Sequence, residues 1–263
     1  MPDMSFDDVT IHYEEAGAGH FAYVMCHGLG GNGHGFVEEF PFWREHFDRV
    51  VSWDARGIGR SSQAAKYSLP LYAKDLARLL EGLEIERAVI YGISWGGIVT
   101  QQFALDHPDK CAAIIVDSSS SETNLAASEF WYSRGEIAKG RAEAHPVEAR
   151  TAFEEHDPQP QGQLGTPAIK PEHLDSYVAM ARVAAGLREH PLTPRLKALN
   201  CPALIVGGGQ DPVAGVGGSV IMSRNLPNAR LEVFRDVGHG VARYKRDEFR
   251  ALVLEFCRDH DII

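Results

Sequence analysis

The 263-residue sequence has few cysteines, no excess of positive charge and no long apolar run. Its four cysteines stand alone rather than in CxxC pairs, which argues against a zinc site or a disulfide framework. Lys and Arg number 26 against 36 Asp and Glu, and the resulting formal charge of −10 disfavours a nucleic-acid partner. No apolar stretch approaches the ~18 residues of a membrane span, and the first residues lack the apolar segment of a signal peptide. We therefore expect a cytoplasmic protein.

Short apolar runs alternate with longer amphipathic stretches in the first half of the chain and again near its end. The apolar runs predict strands at residues 9–13, 21–26, 50–53, 88–91, 112–116, 203–206 and 231–234. Leucines at helical spacing in residues 71–83, and the apolar stretch at 98–105, predict helices between strands. Strands separated by helices indicate a parallel sheet with right-handed crossovers, so the predicted fold class is α/β.

The middle of the chain breaks this alternation. Between residues 118 and 191 no strand is predicted, whereas residues 128–144, 147–155 and 172–187 have helical composition. A loop rich in Pro, Gln and Gly, at residues 156–171, separates the last two of these helices. We therefore predict a core domain made of residues 1–117 and 192–263, with residues 118–191 inserted as a helical cap.

A glycine-flanked serine stands between a predicted strand and a predicted helix. Residues 92–96 read Gly-Ile-Ser-Trp-Gly and match the G-x-S-x-G pattern. In that context the serine occupies a tight turn that lifts its hydroxyl clear of the sheet and aims a helix N-terminus at the same point. Glycines flank it because side chains there would collide with the neighbouring strand or helix. Ser94 is therefore the candidate nucleophile.

A serine nucleophile needs a base and a group that orients the base. Among 12 histidines, His239 follows the predicted strand at 231–234, and Asp211 follows the one at 203–206. Both are expected at the same edge of the sheet as Ser94, because that edge carries the carboxyl ends of parallel strands. The chain order Ser, Asp, His is the order found in α/β-hydrolases. Asp117, at the end of a strand, and Asp236, close to the histidine in sequence, stay open as alternative acids.

A glycine-rich segment, residues 26–31, follows the predicted strand at 21–26. We expect its backbone to help stabilise a negatively charged oxygen, with the N–H groups of Leu29 and Trp95 as the donors of an oxyanion hole. Two residues of this segment, His27 and Gly28, are candidates for the substrate pocket. Two aromatic residues of the helical insertion are further candidates: Trp131 and Tyr177.

The same segment also contains a dinucleotide-like pattern. Gly28, Gly30 and Gly33 form G-x-G-x-x-G after a strand, and Asp54 lies 21 residues beyond the last glycine. This interpretation leaves the serine, the aspartate and the histidine of the catalytic hypothesis unexplained, so no cofactor is expected. No metal site is expected either, because the histidines of this loop lack a carboxylate or thiolate partner at ligand spacing.

Five motifs together carry a family resemblance: HGLGG (27–31), DARGIGRS (54–61), GISWGG (92–97), GGGQDP (207–212) and VGHG (237–240). In this order and spacing the chain resembles the serine-type α/β-hydrolase family over nearly its full length. DARGIGRS and GISWGGIVTQQFALDHPDK are similar to capped small-substrate members, such as 3-oxoadipate enol-lactonases and related carboxylesterases. The resemblance implies an eight-stranded, mostly parallel sheet, a helical cap over the catalytic edge, and no cofactor.

These features predict a hydrolase that cleaves a carboxylic ester or lactone of a small molecule through an acyl-enzyme on Ser94. One alternative is a C–C bond hydrolase of ring-cleavage products, which would need a cationic residue such as Arg182 or Arg188 to hold a dienoate. A second alternative is a ligand receptor on a hydrolase scaffold, with little turnover. We expect no membrane partner, and a monomer or a homodimer.

Overall fold

The computed structural model describes residues 2–144 and 169–263, and its framework is one eight-stranded sheet. The strands are β1 (Asp3–Ser5), β2 (Thr10–Gly17), β3 (Phe21–Cys26), β4 (Arg49–Trp53), β5 (Arg87–Ile93), β6 (Cys111–Asp117), β7 (Ala203–Gly208) and β8 (Ala229–Phe234). They lie in the order β1-β2-β4-β3-β5-β6-β7-β8. β2 pairs antiparallel with β1 and β4, and all other neighbours are parallel. The predicted mostly parallel eight-stranded sheet is confirmed.

Helices follow most of the strands. Those described are α1 (Phe40–Arg44), α2 (Leu69–Gly82), α3 (Trp95–Asp106), α4 (Leu125–Ala144), α5 (Leu174–Gly186), α6 (Thr193–Leu196), α7 (Gly215–Asn225), α8 (Val241–Tyr244) and α9 (Arg246–Asp259). In these described parts of the chain, no helix combines the length and the apolar character needed to cross a membrane.

The central strands are buried on both faces, as apolar strands of a parallel sheet require. Along β5 the side chains alternate between two cores. Ile90 belongs to the core that contains residues of α2 and α3, such as Leu76 and Phe103. Tyr91 belongs to the opposite core, which contains residues of α1 and α9. The sheet is therefore covered on both sides, and only its edges and loop ends are left to form a site.

The sequence also predicts a helix at residues 36–47, interrupted by Pro41, and the observed helix is shorter. A 3₁₀-helix occupies Gly33–Glu39, and α1 begins after it with Pro41 in its first turn. A proline is tolerated there because the first N–H groups of a helix have no intrahelical acceptor. The proline therefore starts a helix where the sequence pattern suggested that it interrupted one.

The helices α4 and α5 belong to the predicted insertion, and they pack against each other. Their bounds agree closely with the helices predicted at 128–144 and 172–187. The helix predicted at 147–155 and most of the loop predicted at 156–171 lie outside the described residues. The division into core and cap therefore stays a prediction.

Candidate active site

Ser94 lies between the end of β5 and the start of α3, on a strained turn. Its backbone has φ 54° and ψ −119°, a conformation that non-glycine residues adopt only at a cost of about 1–3 kcal/mol. Its N–H donates to the carbonyl oxygen of Asp117 at 2.8 Å. Because Ile93 pairs with Asp117 across the sheet, the turn projects from the carboxyl edge. The half-buried serine is thus held at the position that the motif predicted.

The two glycines of the motif are required by close packing. A Cβ on Gly92 would collide with the carbonyl oxygen of Gly96 and with Oγ1 of Thr100. A Cβ on Gly96 would collide with the backbone of Cys26 at the end of β3. The first glycine lets α3 approach β5, and the second lets it approach β3. Both contacts fix the direction in which the helix leaves the turn.

His239 and Asp211 meet at the same edge, on the loops after β8 and β7. Nδ1 of His239 is 2.9 Å from Oδ2 of Asp211. The other carboxylate oxygen, Oδ1, accepts the N–H groups of Val213 at 2.8 Å and Ala214 at 3.1 Å. With both oxygens occupied, the carboxylate has one orientation. A carboxylate at Nδ1 favours the tautomer whose Nε2 can accept a proton.

Ser94 and His239 are each tied to the residues at the end of β6. The carbonyl oxygen of Asp117 accepts the N–H of Ser94, while Oγ of Ser118 accepts the N–H of Gly240 at 2.8 Å. The carboxylate of Asp117 accepts the first two N–H groups of α8, at 3.1 and 3.0 Å. One pair of residues therefore holds both the turn of the serine and the loop of the histidine.

The structure separates the three candidate acids. Asp117 is fully buried, and its carboxylate accepts hydrogen bonds from Ser118 Oγ at 2.8 Å and from Tyr91 OH at 3.3 Å. Burial raises the pKa of Asp117, although the hydrogen bonds from α8 and from Ser118 oppose that shift. Asp236 is 73% exposed and pairs with Lys245 at 3.5 Å. The hydrogen-bonded partner of His239 is Asp211.

Sequence reasoning missed the supporting roles of Ser118 and Tyr91. Ser118 directly follows a strand predicted to end at the site, so its position was a usable signal. Tyr91 lies inside β5 and looks like any core residue of a buried strand. Its contact with Asp117 depends on the pairing of β5 with β6, which the local sequence does not encode.

His27 supports the glycine-rich loop through hydrogen bonds at both of its ring nitrogens. Its Nδ1 donates to the carbonyl oxygen of Gly28 at 2.8 Å, and its Nε2 accepts the N–H of Ala55 at 3.1 Å. These two roles require a neutral imidazole, and burial lowers the pKa of His27 in the same direction. The N–H of Gly31 donates to the Gly28 carbonyl at 3.0 Å and closes a tight turn. The histidine is therefore part of the support of this loop.

The two expected oxyanion donors border one cavity. Leu29, in the turn closed by Gly31, lines the same cavity as Ser94 and Trp95. Trp95 is the first residue of α3, so its N–H has no acceptor within the helix. The N-terminus of α3 also carries the positive end of the helix dipole, which favours a negative charge beside Ser94.

Asp54, the acid of the dinucleotide-like pattern, accepts hydrogen bonds from two backbone N–H groups of the protein itself. Its Oδ1 accepts the N–H of Gly33 at 2.6 Å, and its Oδ2 accepts the N–H of Arg60 at 2.7 Å. A Cβ on Gly33 would lie 2.8 Å from the backbone N of Trp53. The spacing of this glycine and this acid thus serves a contact between two loops. Among the residues described, no group of three or more His, Cys, Asp and Glu side chains could hold a metal ion.

The cavity beside Ser94 has a volume of about 340 Å³. Its apolar wall includes Leu29, Ile98, Trp131, Leu187, Val213 and Ile221. Residues from 118–124, the segment after β6, add polar groups to the wall. The cavity thus lies between the carboxyl edge of the sheet and helices α4, α5 and α7, and Trp131 lines it as the sequence suggested.

Of the three other residues assigned to the pocket, His27 and Tyr177 lie elsewhere, which corrects the sequence-based assignment, and Gly28 lies beside Ser94. His27 is 4% exposed and is engaged behind its loop, as described above. Gly28 packs toward Ser94, since a Cβ placed on it would be 3.6 Å from the serine Cβ. Tyr177 is 1% exposed, packs with Ala138, and accepts a hydrogen bond from Nε of Arg134 at 3.1 Å. None of the three belongs to the wall of the cavity.

The indole of Trp95 is packed into the core. The residue is 3% exposed, and its ring meets Tyr72 edge-to-face with centroids 4.7 Å apart. The ring of His27 is nearly parallel to the indole, and the two ring centroids are 6.0 Å apart. Trp95 therefore borders the cavity mainly through its place in the turn, and its ring supports the loop of His27.

A serine on a strained strand-to-helix turn, a His–Asp pair on neighbouring loops and a cavity beside the serine are the features of a hydrolase of the α/β class. The profile of the alpha/beta hydrolase fold family matches residues 24–164, more than half of the chain. The chain belongs to this family.

The chain is similar to hydrolases of several specificities. It is 26% identical over 240 residues to a putative carbamate hydrolase, RutD, of Caulobacter sp. (strain K31), covering 89% of each chain. It is 25% identical to 3-oxoadipate enol-lactonase 2 of Acinetobacter baylyi, covering 88% of this chain and 86% of that one. It is 27% identical to 2-hydroxy-6-oxo-6-phenylhexa-2,4-dienoate hydrolase of Comamonas testosteroni, covering 98% and 94%.

Solved structures share the fold over nearly the whole chain. A hydrolase from Pseudomonas aeruginosa PA01 superposes with a TM-score of 0.80 at 22% identity, covering 97% of both chains. The enol-lactonase from Burkholderia xenovorans LB400 superposes with a TM-score of 0.79 at 20% identity, covering 98% of this chain and 100% of that one. At these identities the likeness concerns the fold alone.

Proposed function

We propose that this protein hydrolyses a carboxylic ester or lactone of a small molecule through an acyl-enzyme on Ser94. The observation that carries the proposal is the 2.9 Å contact of His239 with Asp211 at the sheet edge that also bears Ser94, in the wall of a cavity. The volume of that cavity, about 340 Å³, lies at the lower end of the range for small-molecule sites and favours a compact substrate.

In the proposed reaction His239 Nε2 removes the hydroxyl proton of Ser94 as Oγ attacks the substrate carbonyl carbon. The N–H groups of Leu29 and Trp95 stabilise the oxyanion. His239 then gives the proton to the departing alkoxide, which leaves as an alcohol. Water, losing a proton to His239, attacks the acyl-enzyme, and His239 returns that proton to Oγ of Ser94 as the acid is released. Asp211 keeps the imidazole in the tautomer that these transfers need.

The dienoate hydrolase relative agrees with the C–C hydrolase alternative, whereas the described cavity gives that alternative little support. Arg182 pairs with Glu136 at 2.8 Å and lies over the ring of Tyr132, outside the wall of the cavity. Arg188 pairs with Glu189 at 3.6 Å and is also outside it. Neither expected cation is thus placed beside Ser94. The receptor alternative shares the same cavity and differs only in turnover.

The test compares 4-nitrophenyl acetate, small lactones and ring-cleavage diketones as substrates of wild type and Ser94→Ala. We expect hydrolysis of esters or lactones by wild type and a loss of at least ~10³-fold in Ser94→Ala, with folding intact. Cleavage of the diketones alone would favour the C–C hydrolase. Binding without turnover of any of them would favour the receptor.

The cytoplasmic location and the monomeric or homodimeric state remain predictions.

A further inference from the structure

The wall of the cavity contains one charged side chain among the described residues, and that residue is an acid. Glu122 lies in the polar segment after β6 and is half-buried. Its backbone is anchored, since Ser120 Oγ donates to its carbonyl oxygen at 2.6 Å and accepts its N–H at 3.4 Å. Within the parts of the chain that the structure describes, its carboxylate has no hydrogen bond and no ion pair. Such a carboxylate is available to a ligand.

An indole shares the cavity with this carboxylate. Trp131 of α4 lies in the same wall and is 8% exposed. The ring face of tryptophan attracts cations more strongly than that of tyrosine or phenylalanine, and the attraction grows when water is excluded. A carboxylate and a tryptophan bordering one small cavity are suited to a positively charged amino group.

Three arginines in or next to α4 and α5 serve other partners. Arg182 and Arg188 make the ion pairs given above, and Arg134 donates to the hydroxyl of Tyr177. None of these three belongs to the wall of the cavity. A substrate carboxylate in the cavity would therefore meet Glu122 without a described cation to offset the repulsion.

We propose that Glu122, with Trp131, selects esters whose acyl or alcohol part carries a positively charged amino group, and disfavours substrates that carry a carboxylate. The inference rests on the proposed ester hydrolysis at Ser94. It separates this chain from the oxoadipate and dienoate hydrolases to which it is similar, since those names denote carboxylate substrates.

The experiment uses pairs of isosteric esters that differ by one charge. Acetylcholine and 3,3-dimethylbutyl acetate place the charge on the alcohol side, and the 4-nitrophenyl esters of betaine and of 3,3-dimethylbutyrate place it on the acyl side. The ratio of kcat/KM for cationic to neutral ester is measured in wild type and in Glu122→Gln, by acid release or 4-nitrophenolate absorbance. Comparing ratios between variants cancels the different intrinsic reactivities of the esters. Rates with Ser94→Ala supply the background.

We expect Glu122→Gln to lower this ratio about fivefold in at least one pair, which corresponds to ~1 kcal/mol for a partly solvated charge interaction. Added NaCl should lower the wild-type ratio as well, because salt screens the carboxylate. The matched control is Glu129→Gln, an exposed glutamate of α4 outside the cavity, which should leave both ratios unchanged.

A change of less than threefold in both pairs, or an equal change in Glu129→Gln, would overturn the selection by Glu122. That result would leave ester hydrolysis intact, because the neutral esters report on it separately. Failure of wild type to hydrolyse any of the four esters, while it hydrolyses 4-nitrophenyl acetate or a lactone, would also overturn the selection. Failure with all of these substrates, measured against Ser94→Ala, would instead contradict the proposed function. The two failures are therefore distinguishable.

Discussion

Replacing Asp211 by asparagine should disable the proposed base while leaving the site assembled. Oδ1 of Asp211 accepts two backbone N–H groups, at 2.8 and 3.1 Å, so the amide oxygen of the variant is expected to remain there. The amide NH₂ then faces Nδ1 of His239 across the contact that is 2.9 Å in wild type. Nδ1 becomes an acceptor, and the ring proton must move to Nε2. A protonated Nε2 cannot take the proton of Ser94.

The expected loss in kcat/KM is about 10⁴-fold, the size of the equivalent change in a serine protease, or ~5.4 kcal/mol of transition-state stabilisation. The assay is hydrolysis of 4-nitrophenyl acetate, with urea unfolding followed by tryptophan fluorescence. Stability should change by no more than ~1 kcal/mol, because the backbone contacts of the side chain persist. The control is Asp236→Asn, at an exposed residue, which should stay within about twofold of wild type. Retention of more than a tenth of wild-type activity in Asp211→Asn would refute this account of the base.

The remaining predictions concern the supports of the site. Asp117→Asn should lower the free energy of unfolding by ~1–3 kcal/mol, because either amide orientation sets an NH₂ against a hydrogen-bond donor; an unchanged urea midpoint would contradict this. Burial lowers the pKa of folded His27 below its usual 6.5, so the unfolded chain binds more protons and stability falls as the pH drops below ~6.5. The stability gap between wild type and His27→Gln, measured in urea, should therefore shrink from pH 7.5 to 5.5, and a constant gap would count against a neutral buried imidazole. NAD and NADP should leave the Tm unchanged because both oxygens of Asp54 are occupied, whereas saturation at ~100 Kd would add ~2.7 kcal/mol.

The fold class could be predicted because it depends on local periodicity. Apolar runs of strand length alternate with amphipathic stretches before residue 118 and after residue 202, and each run corresponds to a strand of the observed sheet. β1 was missed, since its three residues carry no apolar run. The shortened helix at residues 36–47 reflects the ambiguity of a proline, which either starts a helix or breaks one.

The turn of Ser94 could be predicted because its constraints are local: glycines admit close contacts, and a strand must precede and a helix follow. The sequence also selected His239 from 12 histidines through one topological rule, that the carboxyl ends of parallel strands share an edge. Both inferences need only the order of elements along the chain.

The roles of the side chains at this edge, in contrast, depend on contacts that form only in the folded chain. Asp211, Asp117 and Asp236 all lie near strand ends in sequence, and their partners depend on how separate loops pack. His27 looked like a pocket residue until its two ring nitrogens were seen to be engaged, one of them by Ala55, 28 residues away. The direction of a side chain beyond the end of a strand follows from long-range contacts between loops, and local sequence patterns do not encode those contacts.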